Sequence, residues 1–152
     1  MDAKQASEHI EREMLILMRH REMTSPRRTR GGDALDRSAY VLLSRLEVQG
    51  PMSIADFVDA FGLAASTFTR QTNALLRAGL VERMLDPEGG VARKFRVTRK
   101  GMERLASERD EIVTGMTKVI SEWPPERLAN FIADLQQFNT DIERLTGRPW
   151  PR

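Results

Sequence analysis

The chain has 152 residues, 40% of them hydrophobic and 30% charged, with a formal net charge of only +2 at pH 7. That composition supports one sizeable core, is too apolar for general disorder, and nothing in the length requires a second independent domain. With no cysteine, a disulfide framework, a thiolate nucleophile and cysteine-based redox sensing are excluded, and with only His9 and His20 as imidazoles neither a zinc site nor any cofactor is expected.

Residues 1–9 are polar where a secretory signal is apolar, and no apolar run approaches the ~20 residues that cross a bilayer, so a cytoplasmic location is expected. Ile10, Met14, Leu17 and Met18 then recur at helical spacing and predict a first amphipathic helix over about residues 5–23. Ser-Pro-Arg-Arg-Thr-Arg-Gly-Gly at 25–32 breaks it as a loop. A second helix is expected over about 35–48, with Leu35, Ala39, Leu42, Leu43 and Leu46 inward, stopping at Gly50-Pro51. Ser53 and Asp56 stand at capping-box spacing and open a short third helix that ends at Gly62, with Ile54, Phe57, Val58 and Phe61 facing the core. Asp56 and Asp59 on this helix are read as solvated and dipole-compensating rather than as an acid pair. A fourth helix follows over about 66–77 and buries Phe68, Thr72, Leu75 and Leu76.

Residues 80–85 and 93–97 alternate polar and apolar as half-buried strands do, and Asp-Pro-Glu-Gly-Gly between them supplies turn chemistry for a hairpin. Thr98 is an N-cap for a long fifth helix to about 121, with Leu105, Ile112, Val113, Met116, Val119 and Ile120 on its apolar side. Pro124-Pro125 separates it from a sixth helix, because proline fits a first helical turn. That helix carries Leu128, Phe131, Ile132, Leu135, Phe138, Ile142 and Leu145 at alternating three and four spacing before Gly147 ends it, and 148–152 is expected as a short irregular tail. The order of two short helices, a hairpin and a new helix start predicts a mainly α protein with a β-hairpin wing, a winged helix-turn-helix flanked by further helices.

Charge is divided along the chain. Residues 64–104 hold nine basic side chains against four acidic, whereas 107–147 hold four basic against eight acidic. Arginine supplies 20 of the 24 basic residues, and its planar fork matches phosphate and guanine edges. If the fourth helix buries Phe68, Thr72 and Leu75, its geometry turns Ser66, Thr67, Thr69, Arg70, Asn73 and Arg77 outward, a set that can pair with base edges and phosphates. A merely solvated helix face would carry similar residues; the capped helix before it and the basic hairpin after it favour contact with double-stranded DNA. In the hairpin Arg93, Lys94 and Arg96 follow Gly89-Gly90, and a basic tip can enter a minor groove, although charged strand edges also serve to resist aggregation. No nucleophile with a nearby His and acid, Gly-rich phosphate loop or metal-ligand spacing is found, so an enzyme is not expected. The remaining alternative is a winged-helix adaptor that contacts protein only.

Leu-Leu-Arg-Ala-Gly-Leu-Val-Glu-Arg at 75–83, Asp-Pro-Glu at 86–88, Val97-Thr98 and Gly101 together resemble the MarR family of bacterial transcription regulators, over nearly the whole chain. The resemblance implies a homodimeric repressor, with residues 1–34 and 99–147 as dimerisation helices and 35–98 as the DNA-binding module. It places interface residues at Ile10, Leu128, Phe131, Leu135, Phe138 and Ile142, the recognition helix at 66–77 and the wing tip at 89–93. It further implies a small aromatic or anionic effector that releases DNA, for which Met14, Met18, His20, Tyr40 and Leu43 are candidate contacts; core packing explains the apolar members equally well. One departure stands out: the family's wing commonly continues Asp-Arg-Arg after the Asp-Pro-acidic triplet, whereas Gly89-Gly90-Val91 stands here, leaving Arg93 as the candidate replacement.

Overall fold

A computed structural model describes residues 1–20, 35–85, 88, 89 and 93–152. The expected 25–32 loop and the hairpin turn at 86, 87 and 90–92 lie outside the described residues. Six helices and one two-stranded sheet are found among those described: α1 (Ala3–Arg19), α2 (Arg37–Gln49), α3 (Ile54–Phe61), α4 (Ala65–Arg77), β1 (Val81–Leu85), β2 (Arg93–Val97), α5 (Arg99–Ile120) and α6 (Pro125–Thr146).

Helix α1 starts earlier than its apolar spacing suggests, because Asp2 and Gln5 cap it reciprocally: Gln5 N–H donates to the Asp2 carboxylate at 2.8 Å and Asp2 N–H to Gln5 Oε1 at 3.0 Å. It also stops earlier, at Arg19, where the His20 N–H turns back to the Leu17 carbonyl; residues 21–23, expected as its last turn, lie outside the described residues. Helix α2 begins two residues later than expected because Asp36 takes the cap, accepting from Ala39 N–H at 2.7 Å, and Leu35 is buried just ahead of it. The box at α3 forms as read, with Asp56 N–H donating to Ser53 Oγ at 3.1 Å and Ser53 N–H to Asp56 Oδ2 at 2.8 Å. Gly62 then turns the chain in the left-handed region, at φ 68°, into α4.

The antiparallel hairpin runs from Val81 opposite Val97 to Leu85 opposite Arg93. A third extended residue joins it: Met52 exchanges both backbone hydrogen bonds with Phe95, at 3.0 and 2.7 Å. Nothing in the spacing of residues 50–53 announces this pairing. It ties the α2–α3 connection to the wing and seats Met52 wholly inside the core, with Leu42, Leu43, Leu46, Phe57, Phe68, Leu75, Leu80, Val81, Phe95 and Leu105.

Helix α5 is fastened to this core at its start. Thr98 Oγ1 accepts from Gly101 N–H at 3.0 Å and donates to the Gly79 carbonyl at 2.6 Å, while Lys100 Nζ reaches the Ala78 carbonyl at 3.0 Å. Gly101 has no alternative here: a Cβ on it would lie 2.7 Å from Val97 Cγ1 and 3.0 Å from the Leu80 carbonyl carbon. Two further ties hold α5, one to Leu35 just ahead of α2 and one to α2 itself. Glu108, 2% exposed, accepts from Leu35 N–H at 3.3 Å and from Arg104 Nε at 2.8 Å through one oxygen, and its other oxygen is buried without a hydrogen-bond partner among the described residues. Arg109 grips Glu47 with both terminal nitrogens, at 2.6 and 3.3 Å, with Tyr40 beside it.

Beyond Ile112 no described residue is buried. Leu105 and Ile112 pack as expected, but Val113, Met116 and Val119, expected on the same apolar side, stay exposed. Helices α1 and α6 bury no residue at all, and α6 presents Phe131, Ile132, Leu135, Phe138 and Ile142 as one open stripe. No helix among the described residues is long and apolar enough to cross a membrane.

Candidate nucleic-acid interface

The orientation of α4 is set by its buried face. The Phe68 ring lies 5.5 Å from that of Phe57 in a stacked arrangement and 5.8 Å from that of Phe61. Thr72, 1% exposed, donates its hydroxyl to the Phe68 carbonyl at 2.8 Å, so a polar side chain enters the core without losing its hydrogen bond. Leu75 completes the face. With those three positions inward, Ser66, Thr69, Arg70 and Arg77 stand exposed, while Thr67 and Asn73 are half-buried. The helix contains no acidic residue. Ala64 occupies its N-cap and offers no side-chain acceptor, so α4 starts without the carboxylate or hydroxyl cap that opens α1, α2 and α3. A helix start of this kind leaves amide donors for an anion.

The hairpin adds cations of three kinds. Arg93 is exposed and Lys94 half-buried. Arg96 is paired across the hairpin with Glu82, which offsets its charge. Arg83, which the sequence did not single out, lies against α4: its Nη2 donates to Asn73 Oδ1 at 3.4 Å, and its guanidinium sits 5.8 Å from the centre of the Phe95 ring. The signal that could have found it is the hairpin register, which sets Arg83 opposite Phe95. Gly89 adopts a φ of 83°, as the turn chemistry requires, and the rest of the expected tip between it and Arg93 lies outside the described residues.

The other candidate residues fall in two places. Leu43 is wholly buried in the α2 core face and Tyr40 packs partly against that core, whereas Met14 and Met18 on α1 and His20 just after it are exposed. Ile10, Phe131, Leu135, Phe138 and Ile142 lie exposed on α1 and α6, and Leu128 is half-buried near the start of α6.

The MarR family profile matches residues 35–89, which is α2 through the first strand of the wing. The uncharacterized HTH-type transcriptional regulator YxaD of Bacillus subtilis (strain 168) is 30% identical over 132 residues, covering 87% of this chain and 92% of that protein. The chain belongs to the MarR family. Among solved structures, a MarR family protein from Bacillus stearothermophilus superposes with a TM-score of 0.75 at 20% identity, covering 93% of this chain and 98% of the other. The PcaV transcriptional regulator from Streptomyces coelicolor, solved with its natural ligand, does so with a TM-score of 0.61 at 17% identity, covering 91% and 94%. This MarR-family transcriptional regulator thus shares with its relatives the mainly helical winged architecture read from its sequence.

Proposed function

We propose that the protein is a homodimeric, sequence-specific DNA-binding repressor that reads a near-palindromic site with one α4 per half-site. The observation that carries this reading is the pinned, acid-free face of α4 beside a basic hairpin. Arg70 and Asn73 are assigned to base edges, Arg77 with Ser66, Thr67 and Thr69 to the phosphates flanking them, and Arg93 and Lys94 to the backbone or minor groove beyond. A dimer follows from the unburied faces of α1, distal α5 and α6, since monomeric proteins rarely leave contiguous apolar stripes open to water. Two copies then present their α4 helices about 34 Å apart, one turn of DNA.

Release by a small aromatic or anionic effector is the second part of the proposal, supported by the ligand held in the Streptomyces neighbour. Met14 and Met18 on α1, His20 just after it and Tyr40 on α2 are its assigned contacts, methionines suiting varied occupants, whereas Leu43, wholly buried, serves the core instead. Selecting bound fragments from the source genome, then titrating the best one with salt, tests the DNA reading. A log–log slope corresponding to several neutralised phosphates per dimer is expected. Weak, salt-insensitive binding without sequence preference would instead favour an adaptor that contacts protein alone.

A further inference from the structure

The tail after α6, expected only as an irregular end, is folded back and anchored. Gly147 reverses the chain at φ 68°, and the N–H groups of Gly147 and Arg148 both turn to the Glu143 carbonyl. Arg152 closes the loop with two hydrogen bonds to the Glu143 carboxylate, at 2.7 and 2.9 Å. Glu143 is therefore held ionised below the ordinary glutamate range, by Arg152 first, with the Trp150 N–H and the nearby Arg45 adding to the effect. Curled in this way, residues 148–152 present an aromatic ring and a carbonyl to the winged module.

What receives them is an arginine in an unusual place. Arg45 on α2 is only 7% exposed, and burial pulls its pKa down. Its Nε donates to Gln49 at 2.7 Å and its Nη1 to the Pro149 carbonyl at 3.2 Å. The guanidinium carbon lies 5.1 Å from the centre of the Trp150 ring and 6.0 Å from that of Phe61. Trp150 meets Phe61 edge to face at 6.3 Å, and Phe61 in turn touches Phe68, the residue that orients α4. Arg148 lies across Gly62, at the turn into α4, so close that a Cβ there would stand 2.5 Å from its guanidinium. A buried arginine is costly unless its donors and charge are met, and here the tail meets much of that need. Simple closure of an apolar patch would not require a buried cation to be satisfied by a backbone carbonyl over a hundred residues away in sequence.

We propose that residues 148–152 form a strap that ties α6 to the α2–α3 side of the winged module, with Trp150 and Arg45 as positioning residues that fix the angle at which the module, and α4 within it, meets its half-site. This rests on the DNA reading above. Because α6 also carries the exposed apolar stripe assigned to the partner, the strap joins the dimer lobe to the reading lobe, and its loss frees the winged module, α4 with it, to pivot about the α5 root.

A nitroxide on exposed position 74 of α4 reports the separation of the two recognition helices across the dimer without DNA present, and operator and random-sequence affinities are measured alongside. Trp150→Ala should leave the dimer mass and helicity intact, broaden the distance distribution, and weaken operator binding about tenfold with little change on random DNA. Trp150→Phe, which keeps a ring over Arg45, should restore both. Arg152→Gln loosens only the exposed anchor, so it reports even if Trp150→Ala fails to fold, and should broaden the distribution in the same direction. An unchanged distribution in Arg152→Gln and Trp150→Ala overturns the strap. Failure of the wild-type dimer to prefer any DNA overturns the DNA reading instead, while the distance measurement still judges the strap.

Discussion

Gly101→Ala sets two effects of opposite sign against each other. Alanine favours a helix over glycine by ~1 kcal/mol in a helix interior, and by less in the first turn, where Gly101 sits. Against that, the new Cβ would lie 2.7 Å from Val97 Cγ1 and 3.0 Å from the Leu80 carbonyl carbon, with the carbonyl oxygen nearer still. One obstacle is backbone, and both belong to the segment that carries the wing, so neither can step aside as a flexible side chain would. Overpacking of this kind costs ~1–3 kcal/mol. Forcing α5 away also weakens the Thr98 cap, worth ~1 kcal/mol. The steric side wins, by about 2 kcal/mol net, which for a chain of this size is a fall of ~4–8 °C in Tm. Thermal and urea unfolding followed by circular dichroism, at one fixed protein concentration because association would shift the apparent value, measure it directly. A melting point equal to or above that of the wild type would refute the close approach of α5 to Leu80.

Leu135→Asp attacks the α6 stripe: completing the burial of this half-exposed leucine is worth ~1 kcal/mol per copy and an unpaired carboxylate costs more, so twofold repetition should weaken the dimer at least ~10³-fold by sedimentation velocity. A dimer of undiminished strength would place the interface elsewhere. Glu108→Ala removes the acceptor for the Leu35 N–H and should cost ~1–3 kcal/mol in urea unfolding, with Glu108→Gln costing less because it keeps that acceptor. The tail should also respond to acid. Glu143 has its folded pKa depressed, so its contribution is fully present above the ordinary glutamate value of about 4.3 and is lost as the pH falls through the lower folded value. Trp150 emission in a Trp123→Phe background should therefore be flat from neutral pH to about 5 and change only below the ordinary range.

Much of the fold was legible because each boundary rests on local chemistry. The Ser53–Asp56 box, Thr98 as a cap, Gly62 and Gly147 as left-handed stops, and Pro124-Pro125 as a helix start all act within a few residues of themselves, and all appear where they were read. The inward set Phe68, Thr72 and Leu75 was legible for the same reason, which is why the outward face of α4 could be named in advance. What escaped depends on partners distant in sequence. Met52 finds Phe95 across the wing, Arg83 reaches Asn73 only once the hairpin register is set, and Trp150 finds Arg45 only after α6 has brought the chain back. The long apolar side assigned to α5 was legible as a pattern, but periodicity cannot say whether its far half is covered by the same chain, and Val113, Met116 and Val119 are not.

The most direct measurement of DNA reading by α4 compares Arg70→Ala with Arg93→Ala on the selected operator and on random duplex at one salt concentration. Arg70, exposed on the pinned helix, should lose ~1–3 kcal/mol on the operator alone and relax base preference at one position of each half-site. Arg93, on the wing, should lose affinity for both duplexes nearly evenly. Equal losses on operator and random DNA for Arg70→Ala would contradict base reading by α4, whatever the dimer does.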